Sequence, residues 1–523
     1  MGMLLNPSAE SYRMAVNSKI YIDKSMLISV MNECINTSQR FVCVSRPRRF
    51  GKSITADMLC AYYGQEDTDS LFRTLKISGS PDYKKYLNKF QVIHLNMINF
   101  MDKHDSLEGS LDYLQKRLLH ELKSQFSGVD CFDWNDLPSV LEDIYNAVHV
   151  KFVFVIDEWD CIFRRNKNDT ENQTLYLDFL RSLLKDKVYV ALAYMTGILP
   201  IKKYGEHSAL NMFKEISVAD AGVYAEYTGF TEEEVRELCD KYEMDFDEVK
   251  RWYDGYNVND VSIYNPKSVV EAMLSKELGN FWTQTETYEA LKEYIQANFD
   301  GLRDKVVQLI ADEPVKVNIL KFQNDMTNFG SADDVLTLLI HLGYLTYNKA
   351  DRSCYIPNEE VRQEFINCIE DGGWENVMSA IRSSERLLED TLKGNEKAVS
   401  DALRELHYQN TSLLTYNNEN SLSCLLSLAF YSAKKYYTIF RELETGEGFA
   451  DLVFIPLKHS DKPAMLVELK YDKSVDTAIS QIKEKRYHGA LTEYLDKLII
   501  VGINYDKNSK EHTCRIERFN AEK

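Results

Sequence analysis

RFVCVSRPRRFGKSITADMLCAYY, Arg40 to Tyr63, places an apolar run, Phe41 to Ser45, ahead of a basic loop and a helical segment that opens at Gly51, Lys52 and Ser53. A buried strand feeding a loop that enters a helix presents backbone N–H groups and the positive end of the helix dipole to a phosphate. In that arrangement Arg46, Pro47, Arg48, Arg49, Phe50 and Gly51 would wrap the phosphates of ATP, Lys52 would reach the terminal ones, and Ser53 would hold magnesium. The pattern G-x-x-x-x-G-K-[ST] starts with glycine so that the backbone can turn tightly, and this chain has Arg46 there. Taken alone, GKS after a strand is equally a basic helix N-terminus.

KFVFVIDEWD, Lys151 to Asp160, supplies a second half: an apolar run ending in Asp157 and Glu158. A strand that delivers an acidic pair at its C-terminal end suits an ATPase, with Asp157 in the magnesium shell and Glu158 polarising the attacking water. An ordinary solvated strand end has the same appearance, and the order of the two halves is what favours a nucleotide site. A third apolar run, Val188 to Met195, ends in Thr196 and Gly197. Thr196 would sense the terminal phosphate, although Thr-Gly after a strand is also simply a turn.

Near the other end, FADLVFIP (Phe449 to Pro456) and AMLVELK (Ala464 to Lys470) put an aspartate, a glutamate and a lysine on two adjacent apolar runs. Period-2 alternation directs Glu468 and Lys470 to one face and Val467 and Leu469 to the other. Hydrolysis of a phosphodiester needs a hard cation that polarises the phosphoryl oxygen and activates water, and magnesium prefers carboxylate oxygens. Asp451 and Glu468 would supply them, and Lys470 would orient the water or neutralise charge building on the phosphate. The alternative is that Glu468 and Lys470 form the solvated face of a half-exposed strand, since so short a motif recurs by chance.

This last segment resembles the PD-(D/E)xK nuclease superfamily: an acidic helix, a strand bearing Asp, a strand bearing E-x-K, then a helix with Gln and a basic residue. The pieces here are Glu419 in NNENSLSCLLSLAFY, Asp451, Glu468 and Lys470, and Gln481 with Lys485 in AISQIKEKRY. The resemblance implies that Glu419 joins Asp451 and Glu468 around the metal and that Gln481 belongs to the catalytic set. Val475, Ala478, Ile479 and Ile482 fall at helical spacing, so Gln481 and Lys485 would share a neighbouring face. Related sequences carry a basic residue just before the Ala-Asp pair, where this chain has Phe449.

The N-terminal region resembles the predicted AAA-ATPase-like family of bacteria and archaea, which is commonly followed by a PD-(D/E)xK domain. YIDKSMLI from Tyr21, SRPRRFGKS from Ser45, VIDEWD from Val155, MTGILPI from Met195, LNMFKEIS from Leu210 and GFTEEEV from Gly229 carry it. WYDGY from Trp252 and IYNPKS from Ile263 extend it. The resemblance implies ATP binding on a parallel αβα core, with Arg46 as the family's own variant of the phosphate loop.

Composition agrees. At 523 residues the chain exceeds a single core, and 44% apolar with 27% charged residues describes an ordinary globular protein. Ten cysteines occur without a C-x-x-C pair, which points to core thiols in a reducing compartment rather than to zinc. The opening MGMLLNPSAESYRM lacks a basic region followed by a long apolar core, and no window holds 18 continuous apolar residues. The expectation is a cytoplasmic protein that does not enter a membrane. The net charge of −19 argues against a broad nucleic-acid surface, yet residues 430–523 hold 16 Lys and Arg against 15 Asp and Glu. DNA contact would therefore be local and salt-sensitive, through Lys434, Lys435, Lys483, Lys485 and Arg486; a solvated helix face accounts for the last three equally well.

Between the ends, Thr231 followed by Glu234 signals a capping box and a helix start. From Ser331, the order helix, Gly343, strand, turn near Asp351, strand, helix suits a small winged-helix-like module, whose acidic charge favours packing over DNA contact. Turn formers mark Asn257 to Pro266 and Lys393 to Asn395 as linkers. Together these readings predict an α/β multidomain protein: a P-loop-type αβα ATPase core over 1–228, a helical and winged-helix-like middle over 229–384, and a C-terminal α/β restriction-endonuclease-like domain over 385–523. ATP and Mg²⁺, or Mn²⁺ in its place, would be the cofactors and nucleic acid, DNA above RNA, the partner. The rival is a nucleotide-dependent binding or signalling module whose nuclease-like domain does not cut. Arg164 and Arg165 are candidates for an arginine finger, although solvated turn residues look the same in sequence.

Overall fold

The computed structural model describes residues 2–519 other than 102–103, 105, 166–168, 202–209, 219, 259–260, 283–286, 297–300, 323–328, 411–418, 446–447, 459, 485–490, 492–493 and 496. For 287–290, 293, 321, 410, 419–421, 444–445 and 448–449 it describes the backbone alone. The chain forms two units, Met1–Thr287 with Lys316–Gln363, and Tyr288–Val315 with Glu364–Lys523. The stretch 229–384, expected as a separate middle, is thus shared between both.

The first unit is built on a parallel sheet of β1 (Phe41–Ser45), β2 (Gln91–Asn96), β3 (Phe152–Asp157), β4 (Val190–Gly197) and β5 (Lys214–Ile216), in the order β2-β3-β4-β1-β5. Every residue of β1, β3 and β4 is buried, which is why these strands read as unbroken apolar runs rather than alternating ones. Helices Lys52–Tyr63, Leu107–Gln125, Leu137–Val148 and Thr170–Leu184 supply the connections that parallel pairing demands. Because all five strands point the same way, the loops after β1, β3 and β4 emerge at one edge. Thr196 and Gly197 lie inside β4, paired with Val44, Ser45 and Asp157, instead of forming a turn after it.

Beyond this sheet, helix Glu232–Tyr242 starts at the expected capping box: Glu234 N donates to Thr231 Oγ1 (3.4 Å) and Thr231 N to Glu234 Oε2 (2.9 Å). β6 (Phe230–Thr231), β7 (Tyr256–Val258) and β8 (Val261–Tyr264) form a small antiparallel sheet. Asn257 to Pro266 is therefore a hairpin followed by a helix start, not a linker. Tyr256, Val258 and Ile263 bury their side chains, and Asn265 caps helix Pro266–Ser275 by accepting from Lys267 N at 2.9 Å. Gly255 is required before the hairpin: its φ is +99°, and a Cβ would stand 1.9 Å from Pro357 O. After the short strand β9 (Val315–Lys316) come helix Ala332–Leu342, β10 (Thr346–Asn348), β11 (Ser353–Tyr355) and helix Glu359–Asp371, in the order anticipated.

In the second unit, β12 (Tyr437–Thr445), β13 (Gly448–Pro456), β14 (Met465–Tyr471), β15 (Ile499–Asp506) and β16 (Glu511–Arg518) form a mixed sheet in sequential order. All neighbours are antiparallel except β14 and β15, whose parallel pairing is made possible by the crossover through helix Val475–Glu484. That helix packs on β14 and β15; helix Glu396–Asn410 packs on β16 and helix Glu419–Ala429 against β14. Lys393 to Asn395 is a tight turn inside this unit, where Gly394 at φ +78° ends helix Glu375–Lys393. All ten cysteines are free thiols, nine of them buried. Among the described residues, no helix is long and apolar enough to cross a membrane.

Candidate nucleotide cleft and carboxylate site

In the first unit, the chain leaves β1 and turns into helix Lys52–Tyr63 through Gly51, which sits at φ +84° with open space around it. Glycine is needed there for its backbone angle and not for room. Lys52 is buried and its Nζ donates to Pro47 O at 2.8 Å. Desolvation lowers its pKa, against the pull of Glu158, Asp157 and Asp160. Asp157, at the tip of β3, is buried; desolvation raises its carboxyl pKa while a hydrogen bond with Ser53 and the charge of Lys52 hold it down. Its Oδ1 accepts from Glu158 N at 3.0 Å. Gly51, Lys52, Ser53 and Glu158 border a cleft of about 820 Å³, and Asp157 stands behind it against Ser53. Its lining combines charged residues, among them Arg48, Arg49, Lys52, Glu158 and Arg164, with apolar ones such as Ile22, Tyr227, Phe230 and Val270. The size and the mixture of charged and apolar lining suit a nucleotide.

Three residues expected at the phosphates are placed otherwise. Arg46 is 1% exposed and does not line the cleft; Nε donates to Thr228 Oγ1 (2.9 Å) and Nη1 to Ser45 O (3.0 Å) and Ile216 O (3.4 Å). Burial pushes its guanidinium down to about 10. The position where glycine is usual has thus become a tie between β1, β5 and the segment before β6. Pro47 offers its carbonyl to Lys52 while its ring lies against Gly343, where a Cβ would stand 2.6 Å away. Thr196 is fully buried and its hydroxyl donates to Val44 O at 3.0 Å, so it belongs to the sheet rather than to the cleft. Phe50 does line the cleft, edge-on to Tyr256 at 5.0 Å between centroids.

Arg164 is not a solvated turn residue. Its side chain is 14% exposed, its Nε pairs with Asp160 Oδ2 at 3.1 Å, and Nη2 pairs with Glu158 Oε2. Desolvation opposes the guanidinium charge, but Asp160 and Glu158 outweigh it and raise the pKa. The short helix Cys161–Arg165 brings residue 164 back over residue 160. Asp160, fully buried, also accepts from Ile198 N (3.1 Å) and Leu199 N (2.8 Å) and so fixes the loop after β4. The acidic residue three beyond Asp157 was the available signal for this anchor, and only the fold reveals what it holds.

In the second unit, β14 is buried along both faces, and the solvated-strand alternative does not hold: the Glu468 side chain is 2% exposed and that of Lys470 7%. Glu468 Oε1 accepts from Lys470 Nζ at 2.7 Å and from Gln481 Nε2 on helix Val475–Glu484. Asp451, on the neighbouring strand β13, accepts from Leu469 N at 2.6 Å. Desolvation, then the charge of Asp451, pushes the Glu468 carboxyl up to about 7, with Lys470 and the backbone N–H of Asp451 opposing. Glu468 Oε2 is buried without a hydrogen-bond partner. Two carboxylates that raise each other's cost, one with an oxygen left over, fit a divalent cation. Gly502, opposite Glu468 on β15, makes the arrangement possible: a Cβ there would meet Val475 O at 3.0 Å and Ala478 Cβ at 3.1 Å. Nothing in the sequence around Gly502 announces this role.

Glu419 is the first residue of helix Glu419–Ala429, and its side chain, like Lys485 and Arg486, lies outside the described residues. Of the proposed DNA-contacting lysines, Lys434 pairs with Asp312, Lys435 with Glu385 (3.2 Å) and Lys483 with Glu517 (2.7 Å). Each cation is thus locally balanced.

Residues 10–205 match the family described as Predicted AAA-ATPase, and residues 417–514 match the PD-(D/E)XK nuclease superfamily. The chain carries an AAA-ATPase-like segment followed by a nuclease-superfamily segment. The uncharacterized protein in the vnfD 5′ region of Azotobacter chroococcum mcd 1 is 25% identical over 331 residues, or 61% of this chain; the match spans 60% of that relative's length. A signal transduction ATPase with numerous domains and a tetratricopeptide repeat sensor, from Pyrococcus horikoshii, aligns at 13% identity and a TM-score of 0.26, over 80% of this chain and 54% of that one. The Aeropyrum pernix ORC2 protein in its ADPNP-ADP complexes aligns at 11% identity and a TM-score of 0.28, over 68% of this chain and 97% of that one.

Proposed function

We propose that this chain hydrolyses ATP in the cleft of its first unit and cleaves DNA at the carboxylate site of its second, with nucleotide state governing cleavage. The observation that carries the nuclease half is the buried set of Asp451, Glu468, Lys470 and Gln481, in which one glutamate oxygen has no partner. The ATP half is supported by Lys52, Ser53, Asp157 and Glu158 bordering or backing one cleft.

In the cleft, Lys52 would leave Pro47 O for the terminal phosphates, while Ser53 and Asp157 would hold magnesium. Glu158 would take the proton of the attacking water as its oxygen bonds to the terminal phosphorus. The bond to the bridging oxygen breaks, and ADP leaves with the electron pair. In the second unit, Asp451 and Glu468 would hold Mg²⁺ or Mn²⁺. The cation's contribution is to polarise the phosphoryl oxygen and ease deprotonation of water. Lys470 would orient that water and offset charge on the phosphate, and Gln481 would keep the Glu468 carboxylate in place. Coupling between the sites requires that ATP bind two states of the chain unequally.

The test is incubation of supercoiled plasmid with the full chain and Mg²⁺ or Mn²⁺, with and without ATP, beside Glu468→Ala and Lys52→Ala. Cutting that disappears in Glu468→Ala and changes with ATP only when Lys52 is present supports the reading. Cutting indifferent to ATP, ADP and Lys52→Ala removes the coupling. No cutting under any condition favours the binding or signalling module.

A further inference from the structure

Arg164 takes no part in the hydrolysis as assigned above, yet it lines the cleft and pairs with both Glu158 and the buried Asp160. Its Nε is fixed on Asp160, which is itself fully buried and anchored to Ile198 N and Leu199 N. Its Nη2 is bound to the carboxylate of Glu158, whose backbone is left-handed at φ +54°. Arg164, Glu158, Lys52 and Ser53 all line the same cleft, and the charges of Arg164 and Glu158 both bear on Lys52.

The guanidinium takes up Oε2 of the Glu158 carboxylate, so in this arrangement the side chain is turned to Arg164. A phosphate presents more charge and more acceptor oxygens than a carboxylate and matches the guanidinium fork as well. We propose that Arg164 recognises the terminal phosphate of a nucleoside triphosphate and, by turning its Nη groups to it, releases Glu158 for hydrolysis. A nucleoside diphosphate has no terminal phosphate to offer, and its β-phosphate is served by Lys52 and the N–H groups at the helix start. Arg164 therefore stays on Glu158 when the diphosphate is bound. One residue both discriminates triphosphate from diphosphate and gates the base. The inference rests on the ATP-site reading.

The test is equilibrium binding of ADP and of a non-hydrolysable ATP analogue, with Mg²⁺, to the full chain and to Arg164→Gln, Glu158→Gln and the double variant. Arg164→Gln is expected to weaken the analogue by about tenfold or more while ADP changes by less than about twofold. Glu158→Gln is expected to bind the analogue several-fold more tightly, since its competitor for the guanidinium is weakened, and that gain should vanish in the double variant. Arg164→Lys, which keeps the charge over Asp160 but not the fork, serves where the Gln variant does not fold, with the same direction expected. An unchanged ratio of analogue to ADP affinity in the Arg164 variants, or a Glu158→Gln gain that persists in the double variant, overturns the proposal. Wild-type chain that binds neither ligand, or binding that Lys52→Ala leaves intact, overturns the nucleotide site itself and this inference with it.

Discussion

The nucleotide cleft and the carboxylate site both bury charge, but they balance it differently. In the cleft the groups that line or back it have protein partners, Lys52 on Pro47 O, Asp157 on Ser53 and Glu158 on Arg164, and the leftover oxygen, Oδ1 of Asp160, lies behind them on a residue whose other oxygen is bound by Arg164, Ile198 N and Leu199 N. At the carboxylate site the balance is incomplete, since Glu468 has Lys470 and Gln481 on one oxygen and nothing on the other, beside the charge of Asp451. A ligand enters the first by exchanging partners and the second by adding a missing one. The first should therefore tolerate being empty, whereas the second should carry a stability cost until a cation or a proton relieves it.

The largest expected effect separates these costs from catalysis. Glu468→Gln should lower plasmid cleavage by on the order of 10³-fold with little change in melting temperature, because a costly buried carboxylate charge is removed while the buried Lys470 ammonium loses its counter-charge, and the two effects oppose each other. Cleavage rates and thermal melts on the same sample decide this. A marked loss of stability would mean that Glu468 is structurally satisfied and that the contrast with the cleft is false.

Next comes Gly502→Val, which forces side-chain atoms against Val475 O and Ala478 and pushes helix Val475–Glu484 away from β14. Overpacking of this kind costs about 1–3 kcal/mol, and cleavage should fall as Gln481 loses its grip on Glu468. ATP binding should not change. Chemical denaturation with parallel nucleotide titration measures both.

The pH response follows from the raised carboxyl. Glu468 moves from an ordinary 4.5 to about 7, so between those values the folded chain holds a proton that the unfolded chain has lost. Its contribution to stability therefore falls as pH rises from 4.5 towards about 7, and its full cost remains above that. Subtracting the pH–stability profile of Glu468→Gln from that of the wild type should isolate this slope. Metal affinity should run the opposite way, strengthening as pH rises towards 7, because the cation displaces the proton.

The smallest effect tests the cleft. Arg46→Lys keeps a charge but cannot reach Thr228, Ser45 and Ile216 together, and should cost roughly 1–3 kcal/mol of stability with nucleotide affinity changed by less than about twofold. A large loss of affinity without loss of stability would return Arg46 to the phosphates.

What was legible in the sequence follows from which features are local. Strands β1, β3 and β14, the helix start at Gly51, and the placement of Asp157 and Glu158 at a strand end each follow from runs of a few residues, and the α/β class follows from their order. Strand alternation put Glu468 and Lys470 on one face, while the joining of Gln481 to Asp451, Glu468 and Lys470 was what the resemblance to the nuclease superfamily implied. Arg46 was not, since its acceptors on Thr228 and Ile216 lie far along the chain and its loop position invited a phosphate role. The hairpin at β7 and β8 was hidden because Asn257 and Asn265 look like linker residues until the buried Tyr256 and Ile263 are paired across it. Gly502 and Asp160 act through close approach to distant backbone, which no local pattern encodes.

The central contrast is tested most directly by calorimetric titration of Mn²⁺ into the full chain at pH 8, wild type against Glu468→Gln and against Lys52→Ala, without nucleotide. A binding event is expected that Glu468→Gln abolishes and Lys52→Ala leaves intact. Equal binding by wild type and Glu468→Gln would contradict it, because the unpartnered oxygen of Glu468 would then not be what draws the cation.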